Sequence, residues 1–290
     1  MKRLTRDHTV PGGKRYQVRE PVMEVVLGET FLVETINFRT PIVRTPADAN
    51  PEVYREREET GPIFVKGIAP GDVLAIDILD IRPEGHASGG RWDESGRNSL
   101  LEIAEGKVHF PGGLTAGLRM MVGDIYLTPA TLPRANPWDN GGNMDFKDVA
   151  AGNTLCLKAE LEGGLLVLGD LHAAQGDGEI GGLGAECAGE VTLRIARDTA
   201  FPSDRPLVRK IGSFVCIACR YSYAEARDLA AQDAARTLSR LCGCTEKEAF
   251  LYVTTVGDLR NGAVWALGRK KPDGTERLPA VVGLEVPLPL

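Results

Sequence analysis

A glycine-rich segment near the middle of the chain carries four side chains that could bind a metal ion: Asp170, His172, Asp177 and Glu179. If residues 164–172 form a strand, as their apolar run indicates, Asp170 and His172 point to the same face, because strand side chains repeat every two residues. The glycines that follow allow a tight turn, which would bring Asp177 and Glu179 back toward them. Carboxylates converging with an imidazole at a strand end are typical ligands of a divalent metal. The alternative is a polar hairpin with an incidental histidine.

The histidine content restricts the kind of metal site. The chain has four histidines, at positions 8, 86, 109 and 172, so a site built from three imidazoles is not expected. Carboxylates with one imidazole suit zinc, and also calcium, magnesium or manganese. An ion with an open coordination position lowers the pKa of bound water and polarises a carbonyl, which favours hydrolysis. Glu179 or Glu186 could then transfer the proton to the leaving nitrogen.

A second polar group precedes this segment, at residues 140–145. It follows two prolines and is therefore expected to be a loop, in which Asn and Asp commonly make turns. Asn143 and Asp145 alternate, however, so an extended backbone would direct both toward one site. A turn and a functional site remain equally good interpretations of this segment from its residues alone.

Several function classes are not supported by the sequence. The net charge of −6 argues against nucleic acid and anionic membranes as partners, and no apolar run reaches the ~20 residues needed to span a bilayer. The glycines at 176, 178 and 181 lead toward a strand rather than a helix, which argues against a dinucleotide site. No Gly-x-Ser-x-Gly nucleophile motif is present.

The N-terminus and the cysteines predict a cytoplasmic protein. No apolar signal-peptide region follows the first charged residues, and the six cysteines should then be thiols. The pair Cys216 and Cys219 lies in an apolar stretch typical of a buried strand, so we interpret both as structural thiols.

The pattern of elements predicts a mainly β (α+β) fold, with a β-sandwich or barrel-like body and a C-terminal α/β portion. Short strands separated by Gly and Pro turns fill residues 1–205, except for a long loop expected at 83–106. We predict a β-rich domain that carries the metal site over 1–205 and an α/β portion packed on it over 206–290. Capping boxes that begin at Ser222 and Thr245 predict a helical hairpin in the second portion.

The polar segments resemble the acetamidase/formamidase family. The match is carried by Gly-Gly-Asn-Met-Asp at 141–145, by Gly-Asp-x-His-Ala-Ala-Gln-Gly-Asp-Gly-Glu at 169–179 and by Glu186, with weaker similarity over about residues 20–285. The resemblance implies a β-rich body with a C-terminal α/β portion, and metal-dependent hydrolysis of short linear amides to ammonia and a carboxylate. From it we assign the following roles: Asp170, His172 and Asp177 as metal ligands; Glu179, Glu186 and Asp145 as catalytic residues; Asn143 and Gln175 as substrate-binding residues.

Some positions depart from the family pattern. Asn37 stands where the family often has an aspartate, and residues 119–130 match only loosely. These departures keep two alternatives open: a metal-stabilised β-sandwich that binds a ligand without turnover, and a hydrolase of another C–N bond, such as a cyclic amide or a ureide. A small-molecule substrate and assembly into a homo-oligomer of two or more chains are expected in the enzyme interpretation.

Overall fold

The structure is a computed structural model that describes residues 1–11, 14–37, 58–89, 99–201, 203–270, 274 and 278–289. Within these residues it is mainly β, as predicted, with two α-helices near the C-terminus. The elements are β1 (Lys2–Leu4), β2 (Thr9–Pro11), β3 (Met23–Val26), β4 (Thr30–Thr35), β5 (Glu58–Lys66), β6 (Val73–Gly89), β7 (Ser99–Ala104), β8 (Lys107–His109), β9 (Thr115–Gly117), β10 (Met121–Leu127), β11 (Gly141–Asn143), β12 (Thr154–Lys158), β13 (Leu166–His172), β14 (Glu186–Asp198), β15 (Leu207–Lys210), β16 (Ser213–Arg220), α1 (Tyr223–Cys242), α2 (Glu246–Val256), β17 (Asp258–Asn261) and β18 (Ala280–Pro287).

Strand β13 lies in the centre of the sheet that carries the polar segments. Every residue of β13 is buried, as expected of a strand covered on both faces. It pairs antiparallel with β10 along its whole length, and its end pairs with the start of β14 through His172 and Glu186. The chain thereby places Asp170 and His172 beside β10 and β14.

Strands β6 and β14 form a long antiparallel pair, which extends from Val73 opposite Asp198 to Ser88 opposite Glu186. The loop expected at 83–106 is therefore wrong for its first and last parts, because β6 continues to Gly89 and β7 begins at Ser99. Residues 90–98 lie outside the described residues. The later half of β6 is only partly buried, so its polar residues give no apolar pattern that would indicate a strand.

The predicted helical hairpin is present after β16. Helix α1 begins at its Ser222 cap, whose side chain accepts from the Glu225 backbone N–H, and ends at Gly243 in the left-handed conformation. Thr245 and Glu248 form the capping box of α2. The buried alanines of α1 pack with residues of β16 and β18 in one hydrophobic core. None of the described helices is long and apolar enough to cross a membrane.

The main hydrophobic core contains residues from both sides of position 205. It includes Leu155 and Leu168 from the first portion, and Val215 and Val281 from the second. Strand β12 also pairs with β6 on one side and with β15 on the other. The division into domains at residue 205 stays a prediction. Cys216 and Cys219 are buried thiols in β16.

Candidate metal centre

Five of the predicted site residues lie together at the end of β13. Asp170 and His172 belong to β13, and Glu186 begins β14 directly opposite His172. Asp145 follows β11, and Glu179 lies in the loop between β13 and β14. All five are at least 95% buried. The fold therefore brings four carboxyl groups and one imidazole into its interior.

The Nε2 atom of His172 lies at the centre of the group. It is 3.0 Å from Glu186 Oε2, 3.7 Å from Asp170 Oδ1 and 3.9 Å from Asp145 Oδ1. Asp145, Asp170 and His172 each offer a ligand atom within 4.8 Å of the others, as do His172, Glu179 and Glu186. Ligand atoms that share one tetrahedral zinc ion lie about 3.4 Å apart when the bonds are about 2.1 Å long. The spacing of this group is close to that of a shared ion.

The backbone is strained at three of these acids. Asp145, Asp170 and Glu179 have φ angles of 47°, 59° and 43°, in the left-handed region that side chains other than Gly rarely adopt. Such a conformation costs about 1–2 kcal/mol per residue. Strain that persists in an otherwise regular structure is characteristic of functional sites, where side-chain direction matters more than local stability.

Gln175 fixes the orientation of the His172 ring. Its Nε2 donates to the Asp145 backbone carbonyl at 2.5 Å, so its Oε1 is turned toward His172 Nδ1, also at 2.5 Å. Nδ1 must then carry a hydrogen and donate, which directs Nε2 toward the acids. An imidazole that binds a metal is usually held in this way by a polar group on its other nitrogen.

Two glycines leave room around the imidazole. A Cβ on Gly123 of β10 would lie 2.7 Å from Asp145 Oδ1 and 3.2 Å from His172 Nε2, and a Cβ on Gly184 would lie 2.5 Å from His172 Nδ1. Any larger residue would therefore displace the acids or the ring. The sequence gives no signal for Gly123, because only the pairing of β10 with β13 brings it to the site.

The electrostatics of the group favour a positive charge at its centre. Burial alone would lower the pKa of the His172 imidazole, but the neighbouring charges of Glu186 and Asp170 outweigh burial and raise it well above its usual range. Burial, reinforced by Asp170, raises the pKa of Glu186, while His172 opposes that rise. Buried acids in this number are costly unless a cation compensates them.

Comparison with known proteins agrees with this site. The family model of the acetamidase/formamidase family matches residues 129–200, the part of the chain that contains all five clustered residues. A putative formamidase of Schizosaccharomyces pombe is 24% identical, with 58% of this chain and 59% of that protein covered. An acetamidase of Mycolicibacterium smegmatis is 25% identical, with 66% of each chain covered. The crystal structure of an acetamidase from Bacillus halodurans superimposes with a TM-score of 0.82 at 28% identity and covers 99% of this chain and 97% of that one.

The chain resembles the acetamidase/formamidase family over residues 129–200. It spans only about six tenths to two thirds of the length of these two curated relatives. The solved acetamidase, by contrast, is covered almost completely.

The donor set of this site fits a divalent ion. Carboxylate oxygens and a neutral imidazole nitrogen are ligands for zinc, and carboxylates also serve calcium, magnesium and manganese. The orientation of His172 Nε2, the spacing of the acids and the room left by Gly123 all agree with an ion beside Nε2. The described residues therefore form a possible metal site, which leaves the identity of the metal open.

Asp177, which the sequence predicts to be a ligand, lies apart from this group. Its carboxylate pairs with Lys147 at 2.8 Å, and its side chain is 31% exposed. In a strand, Asp177 and Glu179 would point to the same face, because they are two residues apart. Gly178 between them has a φ of 88° and Glu179 is also left-handed, so the two side chains do not share a face here. Glu186, which the sequence predicts to be catalytic, has the carboxylate nearest to His172 Nε2 among the acids of the group.

Asn143 and Asn37 both contact acids of the group. Asn143 Nδ2 donates to Asp145 Oδ2 at 2.5 Å, while its buried Oδ1 makes no hydrogen bond to the described residues. Asn37 Nδ2 donates to the Glu186 backbone carbonyl at 2.7 Å and lies 3.4 Å from Ser88 Oγ. The amide at position 37, where the family often has an acid, thus supports the start of β14.

Proposed function

We propose that this protein hydrolyses small linear amides to ammonia and a carboxylate with the help of a divalent metal ion. The observation that carries the proposal is the buried group of acids around His172 Nε2, within the segment that matches the family model. The names of the relatives, acetamidase and formamidase, support the same substrate class for this chain.

Asp145, Asp170 and His172 would hold the ion, because one atom from each lies within 4.8 Å of the others. We expect zinc, with calcium, magnesium and manganese as the alternatives that the experiment must separate. A bound divalent ion would lower the pKa of a water molecule and polarise the amide carbonyl. Asp145, which the sequence predicts to be catalytic, is thus a ligand in this proposal, and Asp177 is not.

Glu186 is our candidate for proton transfer. Its Oε1 accepts from the Gly184 backbone N–H at 3.0 Å, and its Oε2 lies 3.0 Å from His172 Nε2. The carboxylate is therefore held beside the place where the amide would react, as a general base must be. Glu179, whose ligand atom lies within 4.8 Å of those of His172 and Glu186, is the second candidate.

The two amide side chains have different proposed roles. Asn143 holds Asp145 through Nδ2, and its Oδ1 could accept from the substrate amide N–H. Gln175, which the sequence predicts to bind substrate, is a positioning residue for His172 in this proposal.

The first experiment measures ammonia release from formamide and acetamide by chelator-treated protein after addition of zinc, calcium, magnesium or manganese. We expect one metal to restore turnover, and His172→Ala to lose both turnover and stoichiometric metal, measured by mass spectrometry. His8→Ala is the matched control, because His8 is exposed. Metal bound through His172 without turnover of any amide would contradict the proposal and favour a binding protein.

A second comparison separates ligand from base. Glu186→Gln should retain the ion and lose most of kcat, because the amide keeps the shape of the side chain but cannot accept the proton. Glu179→Gln should retain more of kcat. Loss of the ion from Glu186→Gln would instead make Glu186 a ligand.

We also propose that the protein acts in the cytoplasm and as a homo-oligomer of two or more chains. The cysteines are free thiols, as expected in a reducing compartment. Phe250 and Leu251 of α2 are 45% and 70% exposed, and apolar side chains of this size on one helix are available for contact with another chain. Light scattering that gives the mass of one chain would contradict the oligomer.

A further inference from the structure

A cavity of about 510 Å³ lies beside the metal centre. Two of its wall residues lie against His172 Nδ1: Gln175, through a hydrogen bond, and Gly184, on which a Cβ would lie 2.5 Å from that atom. The other walls come from the β7–β9 segment, from Gly89 and from the loop after β13. They include Leu101, Phe110, Ala116, Arg119 and Leu183.

The walls of this cavity are mainly apolar. Leu101, Phe110 and Leu183 present their side chains from three different segments. Among the described wall residues, the one with a formal charge is Arg119, whose guanidinium lies 3.5 Å from Asp148 and is 55% exposed. The cavity therefore offers apolar contact to a ligand, and the arginine at its rim already has a carboxylate partner.

The volume exceeds what a very small amide needs. Cavities of about 300–1,000 Å³ bury ligands of drug size, so formamide or acetamide would leave most of this cavity empty. Each methylene group that enters an apolar site gains about three- to fourfold in affinity. An apolar acyl chain would therefore use binding free energy that the smallest amides cannot.

We propose that the preferred substrates are primary amides with an apolar acyl group of about four to seven carbon atoms, sized to a cavity in the ~300–1,000 Å³ range. The acyl chain occupies this cavity and the carboxamide lies at the metal centre. This inference rests on the proposed amidase function and concerns only which amides that site prefers.

The test is a series of kcat/KM values for formamide, acetamide, butanamide and hexanamide with the metal-loaded enzyme. We expect a rise with each methylene, about a hundredfold in total from acetamide to hexanamide. Succinamate, which ends in a carboxylate, should be a poorer substrate than butanamide. Turnover of acetamide without a rise along the series would overturn the inference and leave the amidase function standing, whereas no turnover of any amide would remove both.

Ala116→Trp locates the acyl chain. Ala116 lines the cavity, so the indole should fill it and lower the ratio of kcat/KM for hexanamide over acetamide by about tenfold. Leu114→Trp is the matched control, because Leu114 lies two residues away and is 70% exposed. An unchanged ratio in Ala116→Trp, or a preference for succinamate over butanamide, would contradict an apolar acyl site in this cavity.

Discussion

Two buried groups of charges lie on opposite sides of strand β10. Gly123 faces the acids around His172, whereas the side chain of Asp124, the next residue, faces Arg15 at 3.5 Å. Arg15 also pairs with Glu59. In this second group a guanidinium of the chain supplies the positive charge. In the first, the described residues supply one imidazole for four carboxyl groups, which favours a bound cation.

The contrast separates two uses of buried charge. The Arg15 group contains its own cation, because the guanidinium pairs with both carboxylates, and it ties the N-terminal segment to β5 and β10. The His172 group contains more acids than bases among the described residues, which favours the binding of a metal ion. The His172 group should therefore govern activity, and the Arg15 group should govern stability.

The largest effect is expected from Asp170→Asn. The change removes the charge of a metal ligand, while Asn tolerates the left-handed backbone. Activity should therefore fall by about a thousandfold, more than the 10–100-fold typical when a residue that only hydrogen-bonds to a ligand is changed. The chelated variant should be no less stable than the chelated wild type, since repulsion among the acids decreases. Metal content and thermal unfolding after chelation measure the two effects.

Asp177→Asn is the matched comparison for that variant. Because Asp177 pairs with Lys147 outside the group, this variant should keep its ion. If Asp177→Asn loses the ion while Asp170→Asn retains it, the ligand set proposed here is wrong.

The second prediction concerns the other side of β10. Arg15→Met should lower the free energy of unfolding by about 3 kcal/mol, because it leaves the buried acids without their guanidinium. Urea unfolding measures this loss. Arg82→Met is the control: Arg82 pairs with Asp80 but is 76% exposed, and such surface pairs contribute at most about 1 kcal/mol. Equal losses in the two variants would remove the distinction between buried and exposed pairs.

The sequence predicts the first group far better than the second. Asp170 and His172 both lie at the end of β13 and reach the group although Asp170 is left-handed, and Glu186 follows on the next strand, β14. Arg15, Glu59 and Asp124 are distant along the chain, and only the pairing of β13 with both β5 and β10 brings their segments together. No local pattern indicates such a contact.

Local pattern also fails where backbone conformation or a remote partner decides. Asp177 lies apart from the group because Gly178 and Glu179 are left-handed. The two-residue repeat of a strand does not predict such a change of direction. The turn at Gly28 suggests that β3 and β4 form a hairpin, but β3 pairs in parallel with β5, and β4 pairs with β1 and β14. Parallel partners need a long connection, so a short turn says nothing about them.

The third prediction tests the support of His172. Gln175→Ala removes the acceptor for Nδ1–H and should weaken metal affinity by about 10–100-fold, measured by competition with a chromophoric chelator. Gln175→Glu keeps an acceptor at Nδ1 and should retain more of the affinity. If both variants bind metal as wild type does, the ring is held by its packing alone.

The smallest expected effect comes from a network that is partly open to solvent. Glu285 accepts from Lys210 Nζ at 2.7 Å and from Arg260 Nε at 2.8 Å. Burial disfavours its charge, but hydrogen bonds from Lys210, Arg260 and Ser213 outweigh burial and lower the pKa of Glu285 to about 2. Because the folded pKa lies below the unfolded value of about 4.3, the stabilisation is complete above the unfolded value and disappears as pH falls toward 2.

Glu285→Gln should therefore lower the free energy of unfolding by about 1 kcal/mol at neutral pH, less than Arg15→Met, because solvent screens a partly exposed network. The difference from wild type should shrink between pH 4 and pH 2, where the wild-type carboxylate takes up its proton. Urea unfolding at several pH values measures it. A loss as large as that of Arg15→Met would mean that burial does not set the strength of these pairs, and the contrast between the two sides of β10 would then need another cause.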